Sequence, residues 1–111
     1  MDNQQVQQLE ASIERNKADI AQLDALEHLF ANKYFQELIL NGYLKEEAVR
    51  LVMLKADPNQ QKPEQQAAII RDIDAVGSLQ AFLKTVKFKG DIARRSLDDD
   101  RDTLADILAN P

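Results

Sequence analysis

The chain has no cysteine and no tryptophan, one histidine, three glycines and three prolines in 111 residues. Without Cys there is no disulfide framework and no thiolate zinc site. A single imidazole, His28, argues against a His-based metal cluster or a Ser-His-Asp relay. Few turn formers and an aromatic content of 5% argue against an all-β fold. No apolar run approaches the roughly 20 residues that span a bilayer, so no membrane-spanning segment is expected. The polar start, MDNQQVQQLE, does not read as a secretion signal. What is present is ordinary for a globular protein: 44% apolar and 30% charged residues, with a net charge of -5. At this length the expectation is one domain.

Residues 2–30 contain neither Gly nor Pro. Val6, Leu9, Ile13, Asn16, Ile20, Leu23, Glu27 and Phe30 follow one another at steps of three and four, and six of the eight are apolar. That period predicts an amphipathic helix of about 28 residues, roughly 42 Å long. A lone helix of this kind cannot bury its stripe, so it needs a partner. Packing on the rest of the chain and a true coiled-coil contact both meet that need. Asn16 on the seam is the kind of residue that fixes register in coiled coils. Glu27 interrupts the stripe, and Leu26 and Leu29 are expected to take over beside it.

From Tyr34 the apolar density rises. Asn32 is a candidate N-cap for a helix holding Tyr34, Phe35, Leu38, Ile39 and Leu40, and Asn41-Gly42 is expected to stop it. A second helix is expected from about Leu44 to Ala56. Ala48, Val49, Leu51, Val52, Met53 and Leu54 make it apolar nearly all round, which predicts burial on more than one face. Asp57-Pro58 ends it, since the residue before Pro disfavours α geometry. DPNQQKP reads as a loop. Pro63 suits the first turn of the next helix, with Glu64 beside its dipole. That helix carries Ala67, Ile69, Ile70, Ile73 and Val76. Gly77-Ser78 is expected to end it and to cap another, although an unbroken helix remains open.

From Leu79 the three-four spacing returns: Leu79, Leu83, Val86, Gly90, Ala93, Leu97, Asp100, Leu104 and Ile107. The register passes through Gly90. This predicts one helix over 79–108, with a bend at the glycine allowed and a stop at Gly90 as the other reading. The pattern as a whole predicts an all-α fold. Long N- and C-terminal helices (1–30 and 79–111) form an antiparallel hairpin or coiled coil, and a compact helical head (31–78) lies between them. Charge supports the antiparallel sense, since it brings Lys84, Lys87, Lys89, Arg94 and Arg95 near Asp19, Asp24 and Glu27. At the far tip Asp98 to Asp102 would meet Asp2, Glu10 and Glu14, a like-charged end.

The chemistry-bearing motifs are weak. Asp98, Asp100 and Asp102 have the opening spacing of a calcium loop, but Thr103 and Ala109 stand where Gly and Glu are required. Five basic residues between Lys84 and Arg95 suggest phosphate contacts. A pI near 4.8 disfavours nucleic acid as the partner, and acidic protein surface fits them better. Asp24 and His28, four apart, read as a surface ion pair with no nucleophile beside them. No phosphate-cradling or metalloprotease motif occurs. The expectation is therefore a protein without catalytic, metal or cofactor residues and without a small-molecule substrate or membrane partner. The candidate site residues are the helix-pairing seam (Val6, Leu9, Ile13, Asn16, Ile20, Leu23 and Phe30, with Leu79, Leu83, Val86, Ala93, Leu97, Leu104 and Ile107) and a set of partner-facing charges. Those are Lys84, Lys87, Lys89, Arg94, Arg95, Asp98, Asp99, Asp100 and Asp102.

The stretch FQELILNGYLKEEAVRLVMLKADP, followed by QQAAIIRDIDAVGSLQAFLKTV, resembles a family of small acidic helical bacteriophage proteins of unassigned biochemical role, associated with phage structural modules. The resemblance covers roughly residues 20–97 and rests on Asn41-Gly42-Tyr43, Ala56-Asp57-Pro58 and the run from Asp72 to Gly77. It implies a virion or assembly role, through phage structural proteins or self-association, in the virion or host cytoplasm. It carries no active-site residues. A small acidic inhibitor of a host protein, using Asp98, Asp99, Asp100 and Asp102, and a DNA-packaging accessory, using Lys84 to Arg95, are the competing expectations.

Overall fold

Two interruptions set the helix boundaries in a computed structural model that describes residues 3–110, in which every element is helical. The first is Asn32. It leaves the helical region (φ -80°, ψ 124°), and its side-chain oxygen accepts from the backbone N–H groups of Tyr34 and Phe35 at 2.9 and 3.0 Å. This ends α1 (Asn3–Ala31) and caps α2 (Lys33–Phe35), as the sequence predicts. The second is Asp57, extended ahead of Pro58, which ends α3 (Ala48–Ala56). A 3-10 turn over Pro58–Gln60 leads to α4 (Pro63–Ala109), which opens on the expected proline.

Three expected features differ. Asn41-Gly42 is no stop, because Gln36–Glu47 forms a π-helical stretch joining α2 to α3, and no glycine has a positive φ. Its wider turns close backbone bonds over five residues and satisfy amides that a turn would have opened. Gly77-Ser78 is no stop either, since α4 is continuous over 47 residues. Ile73, Val76 and Leu79 take two successive three-residue steps, so the covered stripe shifts phase there without a break in the backbone. The same continuity carries α4 through Gly90. Finally, α3 is not buried on several faces. Leu51 is 1% exposed, but Val49, Val52 and Met53 face solvent.

The chain forms two compact units: residues up to Glu27 with those from Thr85 on, and His28–Lys84. In the first, the two helix segments run antiparallel. Ser12 reaches Asp100, Gly90 abuts Leu23, and Arg94 reaches Glu27. Its core is Ile13, Leu23, Leu26, Val86 and Ala93. In the second unit the buried side chains are Leu51, Ile69 and Val76, and the Phe30 and Phe35 rings meet at a tilt of 33° with centres 6.0 Å apart.

Candidate functional site

The seam residues are all covered to some degree. In the first unit Ile13, Leu23, Val86 and Ala93 are buried, while Val6, Leu9, Asn16, Ile20, Leu97, Leu104 and Ile107 are half-buried. In the second unit Phe30, Leu79 and Leu83 are half-buried. Beside the seam Leu26 is buried as expected, but Leu29 is 46% exposed and does not join it. Gly90 is buried because nothing larger fits. A Cβ built there overlaps the Leu23 Cβ and lies 2.6 Å from its Cδ2.

The first unit contains a polar layer. Asp100, itself on the seam, accepts a hydrogen bond from the Ser12 hydroxyl at 2.5 Å and from the Asn16 amide at 3.2 Å. The expected like-charged tip is thereby relieved at Asp100, and Glu14 pairs with Lys17 at 3.2 Å. Asp2, placed at the same tip, lies outside the described residues. Ser12 had no apolar-period signal to mark it. It stands four residues before Asn16, on the same helix face.

The charged candidates divide into engaged and free. Arg94 spans Asp24 and Glu27, both at 2.8 Å, and their hydrogen bonds raise its pKa further above the ordinary guanidinium range. Asp24, expected to pair with His28, thus turns to Arg94 instead, where a planar fork serves two carboxylates. Lys87 bonds Asp91 at 2.8 Å, one turn on, and holds that carboxyl below its usual range. Arg94, Lys87 and Asp100 therefore each have a partner inside the unit. Lys89, Arg95, Asp98, Asp99 and Asp102 are exposed, and their side chains make no ion pair or hydrogen bond among the described residues. In the second unit Lys84 is exposed too. Asp98 to Asp102 lie in regular helix, not in a calcium loop, and no cluster of three metal-ligating side chains occurs among the described residues. No described helix is long and apolar enough to cross a membrane.

The second unit exposes large apolar side chains, and those of α3 were expected to be buried. Tyr34, Leu38, Val49, Val52 and Met53 are 59–71% exposed. Val49, Val52 and Met53 stand at i, i+3 and i+4 and share one face of α3. The loop behind α3 is closed by two glutamines. Gln61 and Gln66 each donate to the Lys55 carbonyl at 3.0 Å, and they also donate to the carbonyls of Asp57 and Gln60. These contacts stiffen the end of α3.

No protein-family model, curated protein or solved structure matches the chain.

Proposed function

We propose that this chain is a non-enzymatic structural or assembly protein that acts through helix-mediated contacts with other proteins, in or on a phage particle as the sequence resemblance implies. In this reading the antiparallel segments serve as a hairpin stem and residues 28–84 as a helical head. The observation that carries it is the exposed face of Val49, Val52 and Met53, with Leu38 and Tyr34 also uncovered. Large apolar side chains that cluster at a surface are a mark of protein contact. Their support is firm, because Leu51 on the opposite side of α3 is fully buried and the Gln61–Gln66 cap fixes the helix end.

The test is the double variant Val52→Glu/Met53→Glu. Both residues are exposed, so the fold is expected to survive, as circular dichroism would show. The unmodified chain is expected in purified particles from producing cells, and the variant is expected to be depleted from them at least tenfold. Absence of the unmodified chain from particles overturns the reading.

One observation favours a second reading, that of a small acidic inhibitor. Asp98, Asp99 and Asp102 present unpaired carboxylates along one stretch of α4. A single stoichiometric host partner, lost when the three are changed to Asn, would favour it over assembly.

A further inference from the structure

The part of α4 in the first unit has a second three-four stripe. Phe88, Ile92, Arg95, Asp99, Asp102 and Asp106 follow at steps of four, three, four, three and four, and all six are exposed. Each lies two positions from a residue of the covered seam, roughly 200° around the helix. Phe88 and Ile92 flank Gly90, Arg95 and Asp99 flank Leu97, and Asp102 and Asp106 flank Leu104. The stripe therefore faces directly away from α1. Phe88 is 65% exposed and Ile92 40%.

Its charge is divided along its length. Between 87 and 95 the free charges are basic, Lys89 and Arg95, and Lys87 sits at the edge. Between 98 and 106 they are mainly acidic, with Asp98, Asp99, Asp102 and Asp106 outnumbering Arg101. A surface that is basic at one end and acidic at the other is complementary to itself when turned end for end. That is the requirement of a two-fold interface, in which one patch meets its own copy.

We propose that this outer face of α4 binds a second copy of the chain, antiparallel, about an axis between residues 93 and 94. The heptad rule for antiparallel helices sets the layers. Ile92 packs on the aliphatic stem of the partner's Arg95. Phe88 lies over the partner's Asp99, and Thr85 meets the partner's Asp102. Lys87, bonded to Asp91 within its own helix, also flanks the partner's Asp98. Symmetry repeats every contact, so the meeting of a basic end with an acidic end occurs twice in the dimer. Moving the register by one heptad either way loses this match. With the axis about 3.5 residues nearer the C-terminus, Asp98 comes to lie beside its own copy. With it about 3.5 residues nearer the N-terminus, the acidic half has no basic counterpart in this unit. The proposal deepens the reading of the protein as one that works through helix faces, and it names one partner.

The experiment is sedimentation velocity on the full chain over a concentration series at low and high salt. A monomer–dimer equilibrium is expected, weakened roughly tenfold on going from about 0.05 to 0.5 M salt, since the pairs are exposed and screened. Lys87→Asp and Asp98→Lys are each expected to give monomers, because each sets two like charges together. Mixed one to one they are expected to form a heterodimer. In it one contact carries the pair reversed and the other carries it unchanged. Loss of folding cannot produce that rescue. A strict monomer overturns the proposal, as does a dimer insensitive to salt or one that mixing fails to restore. A dimer abolished by Val52→Glu/Met53→Glu but untouched by Phe88→Asp places the interface on α3 and overturns it too. Particle incorporation by a strict monomer would sink this proposal alone and leave the assembly role standing.

Discussion

Gly77 and Gly90 lie in one helix and are the same residue type, yet they answer to different forces. Each costs about 1 kcal/mol of helix propensity relative to Ala. At Gly77 nothing lies within 4 Å of a built Cβ. Gly77→Ala is therefore expected to stabilise the protein by up to about 1 kcal/mol. At Gly90 the added methyl runs into Leu23, and overpacking of this kind costs about 1–3 kcal/mol. Gly90→Ala is expected to be destabilising in spite of its better propensity. In a Leu23→Gly background, where the whole obstructing side chain is gone, the same change should become neutral or favourable. Urea unfolding of the three single variants and the double variant reads the signs directly. A Gly90→Ala protein as stable as its parent would show that the helices do not approach closely there.

At the scale of the element, the question is what fixes the pairing of α1 and α4 segments in the first unit. Apolar contacts alone tolerate a slip of one heptad, because Leu, Ile and Val recur along both seams. The Ser12–Asn16–Asp100 layer does not, because a slip leaves a half-buried carboxylate without donors. Asp100→Leu is expected to cost about 1–2 kcal/mol, since it strands the Asn16 amide and the Ser12 hydroxyl. Asn16→Leu/Asp100→Leu should recover most of that loss while relaxing the register, the usual result when a polar seam layer becomes apolar. A thermodynamic cycle over the four proteins checks the coupling, and additive losses would show that the layer does not act as a unit. Asn16 was legible from its place in the period, and so was Asp100. Their partnership was not, since it depends on where the chain returns. The Asn32 cap and the Asp57-Pro58 stop were legible because both act within four residues. Asn41-Gly42 and Gly77-Ser78 misled because a glycine permits a stop without requiring one, and the backbone bonds on either side decided otherwise. The free face of α3 was hidden for the opposite reason. Composition shows which residues are apolar, but not whether the chain has enough surface to cover them.

At the scale of the whole molecule, charge sets the response to acid. The chain carries a net charge of -5 at pH 7 and a pI near 4.8, so mild acid first removes self-repulsion. Beyond that point particular carboxylates decide. Glu47 is held below its ordinary 4.5 by hydrogen bonds from Arg50, and Asp91 below 3.8 by the one from Lys87. A carboxyl whose pKa is depressed in the folded state stabilises that state fully above its unfolded value. The benefit disappears as pH falls through the folded value. The two contributions are thus intact at neutral pH and fade below about 4.5 for Glu47 and below about 3.8 for Asp91. Both groups are solvent-exposed, so each effect is small and screened by salt. Glu47→Gln should have a slightly lower Tm than its parent at about pH 6, and the two curves should converge near pH 3. Asp91→Asn should behave likewise, with convergence at lower pH. The measurement is thermal unfolding across that range at low ionic strength and low protein concentration, so that pairing of copies does not enter. A gap between parent and variant that stays constant from neutral pH to pH 3 would mean that neither ion pair shapes the acid limb.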